Sequence, residues 1–252
     1  MDGSTSATRS HFTGLIRWLV NLLLPVDCAQ CRQPLADDPV PFFCRLCWEN
    51  VKRLSEHVCP RCGQPFASTI TLTYAAGHVC APCRLNPPAY TRAWALYPYE
   101  PPLQDAIRLF KYHGKVVLAK HLGLLLEEGA GLLPPVDLLM PVPLHPDRLR
   151  DRGFNQALLL ADCLNRRLRT PICYDNLVRC RPTKPQTELT RKARIKNLRR
   201  TFALLQPNQV KDKRVLLVDD VMTTGTTVNE CAKTLRKAGS GDVFVLTLAR
   251  TV

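Results

Sequence analysis

The chain has 252 residues, of which 46% are apolar, and its 35 Lys and Arg against 21 Asp and Glu give a formal net charge of +14. This length and apolar content allow one medium-sized α/β domain with an appendage, and they exclude a chain too polar to form a core. The positive charge favours an anionic partner, namely a nucleotide, a nucleic acid or a membrane surface.

The first predicted element is a short apolar segment, FTGLIRWLVNLLL, at residues 12–24. Arg17 and Asn21 interrupt it, so it is too short and too polar to span a bilayer and does not fit the core of a signal peptide. We expect an amphipathic helix within an N-terminal segment 1–24. The chain is therefore expected to be cytoplasmic, with no transmembrane segment.

Eight of the twelve cysteines form four CxxC pairs in residues 25–86. They are Cys28 and Cys31, Cys44 and Cys47, Cys59 and Cys62, and Cys80 and Cys83. Such spacing is typical of tetrahedral four-thiolate zinc sites and favours two structural Zn²⁺ ions over disulfide or redox use. Sequential pairing gives two zinc ribbons, and interleaved pairing remains an alternative. Thiolate zinc sites also fit a reducing compartment.

After a linker at residues 86–88, residues 90–252 alternate between strand and helix patterns. Strands are predicted at 93–99, 136–140 and 215–218, and helices at 103–112, 116–128, 155–169 and 228–238. This alternation indicates βαβ units and a parallel sheet, whose ligand site lies beyond the carboxyl ends of the strands. The loops at 144–153 and 219–227 both follow strands, so we expect them to share one crevice. His113 and His145, which are lone histidines near loops, are predicted to be structural.

Basic residues crowd together between Arg166 and Arg214, against only three acids in the same stretch. This distribution predicts a basic face or a mobile basic loop. Within it lies PQTELTRKARIKNLRRTF, which starts at Pro185.

The stretch VLLVDDVMTTGTT at residues 215–227 carries the most specific chemistry. A buried strand is followed by two adjacent carboxylates, and then by a Thr/Gly loop that leads into a helix. The start of a helix offers unpaired N–H groups and a positive dipole end, which favour a phosphate. The carboxylates could accept hydrogen bonds from sugar hydroxyls or lie near a metal, so the pattern indicates a phosphorylated sugar. A turn with a helix cap is the simpler alternative.

This stretch resembles the signature with which type I phosphoribosyltransferases bind phosphoribosyl pyrophosphate (PRPP). Together with the CxxC pairs, PVPLHPDRLRDRGFNQA and PQTELTRKARIKNLRRTF, it makes the chain similar to the ComF family of competence-associated proteins, from about Leu24 to the C-terminus. The resemblance implies an α/β, type I phosphoribosyltransferase fold, a parallel sheet flanked by helices, with a small N-terminal double zinc ribbon.

The resemblance also implies residue roles. Asp219 and Asp220 would hold the ribose hydroxyls of PRPP, which binds with Mg²⁺. The loop around the 5′-phosphate would comprise Thr223, Thr224, Gly225, Thr226 and Thr227. Candidate pyrophosphate contacts are Arg148, Arg150 and Arg152, with a solvated basic turn as the alternative. The candidates for neutralising a leaving pyrophosphate during catalysis are Arg191, Arg194 and Arg199, which could instead bind nucleic acid.

Three functions are compatible with these features. The first is a PRPP-binding protein that binds single-stranded DNA and works with the DNA-uptake machinery in transformation or DNA utilisation. Arginines near the CxxC pairs, or knuckles, would suit such a strand, as would three aromatic residues. The arginines are Arg32, Arg45, Arg61 and Arg84, and the aromatic residues are Trp48, Tyr90 and Trp94. For the aromatic residues core packing is the favoured explanation. The alternatives are an active transferase, which releases pyrophosphate to an unidentified acceptor, and a PRPP-sensing regulator.

Overall fold

The computed structural model describes residues 26–35, 37–55, 57–66, 77–180 and 201–252. The predicted helix at 12–24 lies outside these residues, as do Arg191, Arg194 and Arg199. None of the helices that these ranges contain is long and apolar enough to cross a membrane.

A four-stranded parallel sheet forms the centre of the molecule, with strand order β1-β6-β5-β2. The strands are β1 (Arg92–Pro98), β2 (Leu138–Pro141), β5 (Val215–Met222) and β6 (Val243–Arg250). Strands β3 (Leu177–Arg179) and β4 (Phe202–Leu204) form a separate antiparallel pair. The parallel sheet predicted from the alternating pattern is confirmed.

Helices cover both faces of this sheet. They are α3 (Leu103–Tyr112), α4 (Leu118–Glu127), α5 (Pro146–Arg152), α6 (Gln156–Leu168) and α7 (Thr226–Lys237), after the short α1 (Arg45–Glu49) and α2 (Ala81–Leu85) of the cysteine-rich region. Leu216 and Val218 face a core that includes α3, α4 and α6, whereas Val215 and Leu217 face a core that includes α7. This alternation explains why β5 reads as a continuous apolar run, since both of its faces are buried.

Two predicted elements differ from the structure in form or by more than two residues at one end. Strand β5 does not end at Val218 but continues through the two acids to Met222, because Asp219 and Val221 pair with Thr247 and Ala249 of β6. The predicted loop at 144–153 is instead mostly the helix α5. Its start is capped by His145 Nδ1, which accepts a hydrogen bond from the Asp147 N–H at 3.3 Å, and Gly153 ends it at φ +77°. Pro146 at the start and Gly153 after the end are standard helix boundaries.

The cysteine-rich region covers the outer edge of the sheet. Strand β1 is an edge strand, and an uncovered edge would leave its backbone groups unpaired. The Ala93 N–H donates to the Arg61 carbonyl at 2.9 Å, and the Leu54 N–H donates to the Leu96 carbonyl at 2.9 Å. Gly63 has a φ of +69°, and a Cβ there would come within 2.9 Å of the Ala93 oxygen. The close approach therefore requires glycine at this position.

Candidate functional sites: two cysteine tetrads and a cleft at the sheet edge

The eight paired cysteines form two tetrads with sequential pairing. One contains Cys28, Cys31, Cys44 and Cys47, and the other contains Cys59, Cys62, Cys80 and Cys83. In each tetrad the four Sγ atoms lie within 4.8 Å of one another, and all eight cysteines are free of disulfides. The interleaved alternative is therefore excluded.

Sulfur spacing in both tetrads fits zinc. Zn–S bonds of about 2.3 Å in a tetrahedron place neighbouring sulfurs about 3.8 Å apart. The Sγ atoms of Cys31 and Cys44 are 3.7 Å apart, and so are those of Cys62 and Cys80. The Cys80 N–H also points to Cys59 Sγ at 3.4 Å, a contact that stabilises a thiolate. We conclude that the tetrads hold two structural zinc ions.

A buried arginine of β6 connects the second tetrad to the sheet. Arg250 at the end of β6 is 4% exposed, and its Nη1 donates to the Cys62 carbonyl at 2.7 Å. Its Nη2 also contacts Gln64 Oε1. Burial lowers the pKa of the Arg250 guanidinium from its ordinary value, although it remains a cation at physiological pH. The Arg250 guanidinium therefore joins the Cys59–Cys62 loop to β6 through a buried, charge-assisted hydrogen bond.

A cleft of about 840 Å³ lies at the carboxyl ends of β2 and β5. Its wall combines the loop after β2, the helix α5, the start of α6, the end of α3 and the segment that joins β5 to α7. The charged lining residues are Lys111, Arg148, Asp151, Arg152, Arg179, Asp219 and Asp220. The expected meeting of the two post-strand segments in one crevice is thus confirmed.

The acid pair forms the floor of this cleft, and its two members have different surroundings. Successive residues of a strand point to opposite faces of the sheet. Asp220, which is 6% exposed, pairs through Oδ1 with Lys111 Nζ at 2.8 Å. Burial alone would lower the pKa of the Lys111 ammonium, but the Asp220 carboxylate outweighs it and raises that pKa. Lys111 thus balances one of the two adjacent acids.

Asp219 has no such direct partner among the ion pairs of the described residues. Burial and the neighbouring Asp220 carboxylate raise the pKa of Asp219 to about 8, against the opposing effect of Lys111. Burial and mutual repulsion therefore disfavour full ionisation of the pair at neutral pH. A ligand that offers hydroxyl donors, or a cation, would favour full ionisation.

The Thr/Gly segment turns the chain from β5 into α7. Gly225 at φ +71° is the cap residue of α7, a conformation that favours glycine. Thr223, Gly225, Thr226 and Thr227 line the cleft, whereas the Thr224 hydroxyl lies 2.7 Å from that of Thr226. The first N–H groups of a helix have no partner within the helix, so this end of α7 can accept an anion.

The predicted pyrophosphate arginines separate into two groups. Arg148 and Arg152 line the cleft. Arg150 does not: its side chain is 76% exposed and pairs with Asp147. His145 caps α5, which is a structural role, and His113 follows α3 without lining the cleft.

Lys111 and Arg179 were missed, although the sequence contains a signal for each. Lys111 is four residues after Ile107 and eight after Leu103 on α3, which places it on the buried stripe of that helix. Arg179 follows Leu177 by two residues in β3, so both point to the same buried face. A charged residue at a core position needs a partner or a ligand.

Predicted DNA-stacking aromatics are mostly in the core. Tyr90 and Trp94 are 4% and 9% exposed, so the core-packing explanation of these two aromatics is confirmed and stacking against bases is excluded for them. Trp48 is half-buried, with its ring centroid 5.5 Å from that of Phe43. Of the knuckle arginines, Arg61 donates to the Pro88 carbonyl at 3.2 Å. The exposed ones are Arg32, Arg45 and Arg84.

Two domain families and several individual proteins are similar to this chain. A double zinc ribbon domain matches residues 19–84, and a phosphoribosyl transferase domain matches residues 155–250. The DNA utilization protein YhgH of Escherichia coli is 34% identical over 239 residues, covering 92% of this chain and 100% of that protein. Competence protein F of Haemophilus influenzae is 34% identical over 82% of this chain and 90% of that protein. Competence protein ComFC of Bacillus subtilis is 27% identical over 82% of this chain and 84% of that protein.

Proposed function

The chain belongs to the ComF family, and we propose that it binds PRPP or a related phosphorylated sugar with Mg²⁺ in the cleft and single-stranded DNA elsewhere on its surface. In this proposal residues 25–86 and 90–252 are its two domains, and it acts in the cytoplasm in DNA uptake or utilisation. The names of the relatives support that role. The ligand assignment rests on one observation. The acid pair, the start of α7 and two arginines line the same cleft.

Each part of the cleft suits one part of PRPP. The Asp219 and Asp220 carboxylates would accept hydrogen bonds from the ribose hydroxyls, and the N–H groups at the start of α7 would donate to the 5′-phosphate. Arg148 and Arg152 would contact the pyrophosphate. Carboxylate and phosphate oxygens are the ligands that Mg²⁺ prefers, so the acids also fit a bound cation.

Phosphoribosyl transfer is the second candidate, because the arginines and the acid pair line the same cleft. In this reaction the bond between the anomeric carbon and pyrophosphate breaks, and the acceptor forms the new bond. Mg²⁺ would neutralise the leaving group. The arginines would stabilise the charge that develops there, with Arg191, Arg194 and Arg199 as further candidates from the sequence.

Two arginines on one helix provide a matched test. Arg148→Gln should weaken PRPP binding about tenfold or more, because a charge-assisted hydrogen bond contributes about 1.5 to 3 kcal/mol. Arg150→Gln, with a side chain outside the cleft, should leave the affinity unchanged. Isothermal titration with PRPP and Mg²⁺ measures both variants. Equal effects, or no binding by the wild type, would contradict the proposed ligand.

Turnover is tested separately by assaying pyrophosphate release from PRPP with candidate bases. Release above the background without protein would establish a transferase. Binding without release would leave a binding or sensing role.

Binding of single strands is tested through its dependence on salt. Contacts of Lys and Arg with phosphates release counterions, and each contact contributes about −0.7 to the log–log slope for single strands. Replacing Arg191, Arg194 and Arg199 by Gln should therefore flatten the slope by about 2 if all three contact phosphates. An unchanged slope would place the strand elsewhere, for example on Arg32, Arg45 and Arg84 of the ribbons.

A further inference from the structure

The end of β6 lies between the second cysteine tetrad and the cleft. Arg250, the last residue of β6, is paired in register with Met222, the last residue of β5, and the Thr251 N–H donates to the Met222 carbonyl at 3.2 Å. Met222 lines the cleft and is followed directly by the Thr/Gly turn, residues 223–225. The Arg250 side chain reaches the Cys62 carbonyl at 2.7 Å. The end of β6 therefore contacts both the tetrad and the strand that leads into the turn.

The linker that follows the second tetrad makes a further contact with the start of α7. Arg61, within the first CxxC pair of this tetrad, donates through Nη2 to the Pro88 carbonyl at 3.2 Å. The next residue of the linker, Ala89, donates its N–H to Asn229 Oδ1 at 2.7 Å. Asn229 lies in the first turn of α7, where its own N–H donates to the Gly225 carbonyl at 3.0 Å. The linker is thus bonded to the end of the helix whose free N–H groups can bind an anion.

A buried tyrosine packs against the same turn. Tyr90 is 4% exposed, and its hydroxyl oxygen lies 3.6 Å from the position that a Cβ would occupy on Gly225. It belongs to an apolar cluster that also contains Met222 and Val228, and Cys62 of the tetrad packs against this cluster. Because Gly225 immediately precedes the first helical N–H groups of α7, its position determines where those groups point.

The first tetrad provides an internal comparison, because its surroundings pack against the other face of the sheet. Phe42 and Trp48 flank its second CxxC pair, and both pack against the core that includes α3, α4 and α6. Cys62 of the second tetrad packs instead against the core that includes α7. The two tetrads therefore differ in their connection to the anion-binding turn, although the spacing of their sulfurs is the same.

We propose that the zinc-bound second tetrad positions the Thr/Gly turn through Arg250 and Asn229, so that zinc on this tetrad and a phosphate group at the start of α7 strengthen each other's binding. This inference rests on the proposed function, since the phosphate belongs to the sugar phosphate in the cleft. Zinc fixes the CxxC loops, so the contacts that support the turn form before the ligand arrives, and such preorganisation lowers the cost of binding. Coupling of this kind is reciprocal and typically amounts to about 5- to 150-fold.

The first measurement uses the full chain loaded with two zinc ions. Ribose 5-phosphate is the probe, added without Mg²⁺ because it has no pyrophosphate. Equilibrium competition with a zinc chelator of known affinity gives the zinc affinity of each tetrad, and Cys31→Ser, which disrupts the first tetrad, identifies the value that belongs to the second. Saturating ribose 5-phosphate should tighten zinc binding at the second tetrad by about fivefold or more and leave the first tetrad unchanged.

Two substitutions on α7 separate positioning from stability. Asn229→Ala removes the acceptor of the Ala89 N–H, and Asn229 lies outside the cleft lining. Thr234→Ala is the matched control, because the Thr234 hydroxyl donates to the Glu230 carbonyl at 3.0 Å within the same helix. Both variants should lose some stability. Only Asn229→Ala should weaken the binding of ribose 5-phosphate, by about two- to tenfold for one hydrogen bond, and reduce its effect on zinc affinity.

The outcomes distinguish the coupling from the ligand site itself. Equal tightening of zinc at both tetrads would indicate general stabilisation of the folded chain and would overturn the coupling, as would no change at the second tetrad. Equal affinities of Asn229→Ala and Thr234→Ala for ribose 5-phosphate would overturn the role of Asn229. In each of these cases the sugar phosphate still binds, so the proposed function stands. Failure of ribose 5-phosphate to bind the wild type would overturn the two together.

Discussion

The cysteine tetrads and the acid pair both gather like charges, but they balance them in different ways. Each tetrad places four sulfurs within 4.8 Å, from two CxxC pairs that are close in sequence. The acid pair is balanced by Lys111, which reaches Asp220 from a helix much earlier in the chain. The four CxxC pairs can therefore be predicted from spacing alone, whereas their grouping into tetrads and the partner of the acids both depend on the folded chain.

The second difference concerns which groups still lack a partner. Zn²⁺ can coordinate all four sulfurs of a tetrad, because their spacing already matches its tetrahedral geometry. In the acid pair Lys111 pairs with Asp220 only, whereas burial and the neighbouring Asp220 carboxylate raise the pKa of Asp219 to about 8. We infer that the tetrads are structural and that the acid pair is a binding site.

Removal of zinc is expected to have the largest effect on stability. Elemental analysis should give two zinc ions per chain, and chelation should unfold the ribbons, because zinc binding contributes about 10 to 16 kcal/mol to the folding of small zinc domains. One zinc ion or none would contradict the assignment.

A matched pair of cysteine variants makes this prediction specific to each ribbon. Cys62→Ser should lower the melting temperature of the whole chain more than Cys31→Ser, because the Cys62 carbonyl binds the buried Arg250 and its knuckle covers β1. Equal decreases in the melting temperature of the two variants would show that the second tetrad does not stabilise the sheet.

A smaller but still large effect is expected when the ion pair in the cleft is broken. Lys111→Met leaves Asp220 buried without its partner, which typically costs about 3 to 5 kcal/mol of stability. Urea unfolding at neutral pH measures this loss. The double variant Lys111→Met with Asp220→Asn should recover a large part of it, since no unpaired charge then remains at Asp220. A single variant as stable as the wild type would contradict the pairing.

The last effect on stability concerns Asp219 and depends on pH. Its pKa of about 8 in the folded chain exceeds the ordinary value of 3.8, so the folded state keeps a proton that the unfolded state releases. Stability from this group is therefore lost as pH rises from about 4 to 8. Asp219→Asn should remove the loss, so its stability relative to the wild type should increase across this window. A difference independent of pH would contradict the raised pKa.

Much of the fold follows from hydrophobic periodicity. Helix α3 has the predicted bounds, because Leu103, Ile107 and Phe110 repeat at helical spacing above the sheet. Helix α5 was predicted as a loop, because its seven residues carry no apolar stripe and are set by caps instead, with Pro146 at the start and Gly153 at the end. Both cap signals are present in the sequence, so this helix could have been predicted from them.

The sequence predicts the acid pair and the Thr/Gly turn of the site, but not the basic residues that lie near the acids. The acids and the Thr/Gly turn are contiguous in sequence, and the topology rule for parallel sheets places them at the same edge as α5. The neighbours Lys111 and Arg179 come from α3 and β3, and only the folded chain brings them to the cleft. The continuation of β5 through Asp219 likewise depends on pairing with β6, which local pattern cannot reveal.

The central claim is that the cleft holds a phosphorylated sugar, and a crystal structure of the chain with PRPP and Mg²⁺ tests it most directly. The account predicts the 5′-phosphate within about 2.7 to 3.2 Å of backbone N–H groups at the start of α7, and ribose hydroxyls on Asp219 and Asp220. The pyrophosphate should contact Arg148 and Arg152. A ligand bound at another surface, or with its sugar turned away from the acid pair, would contradict it.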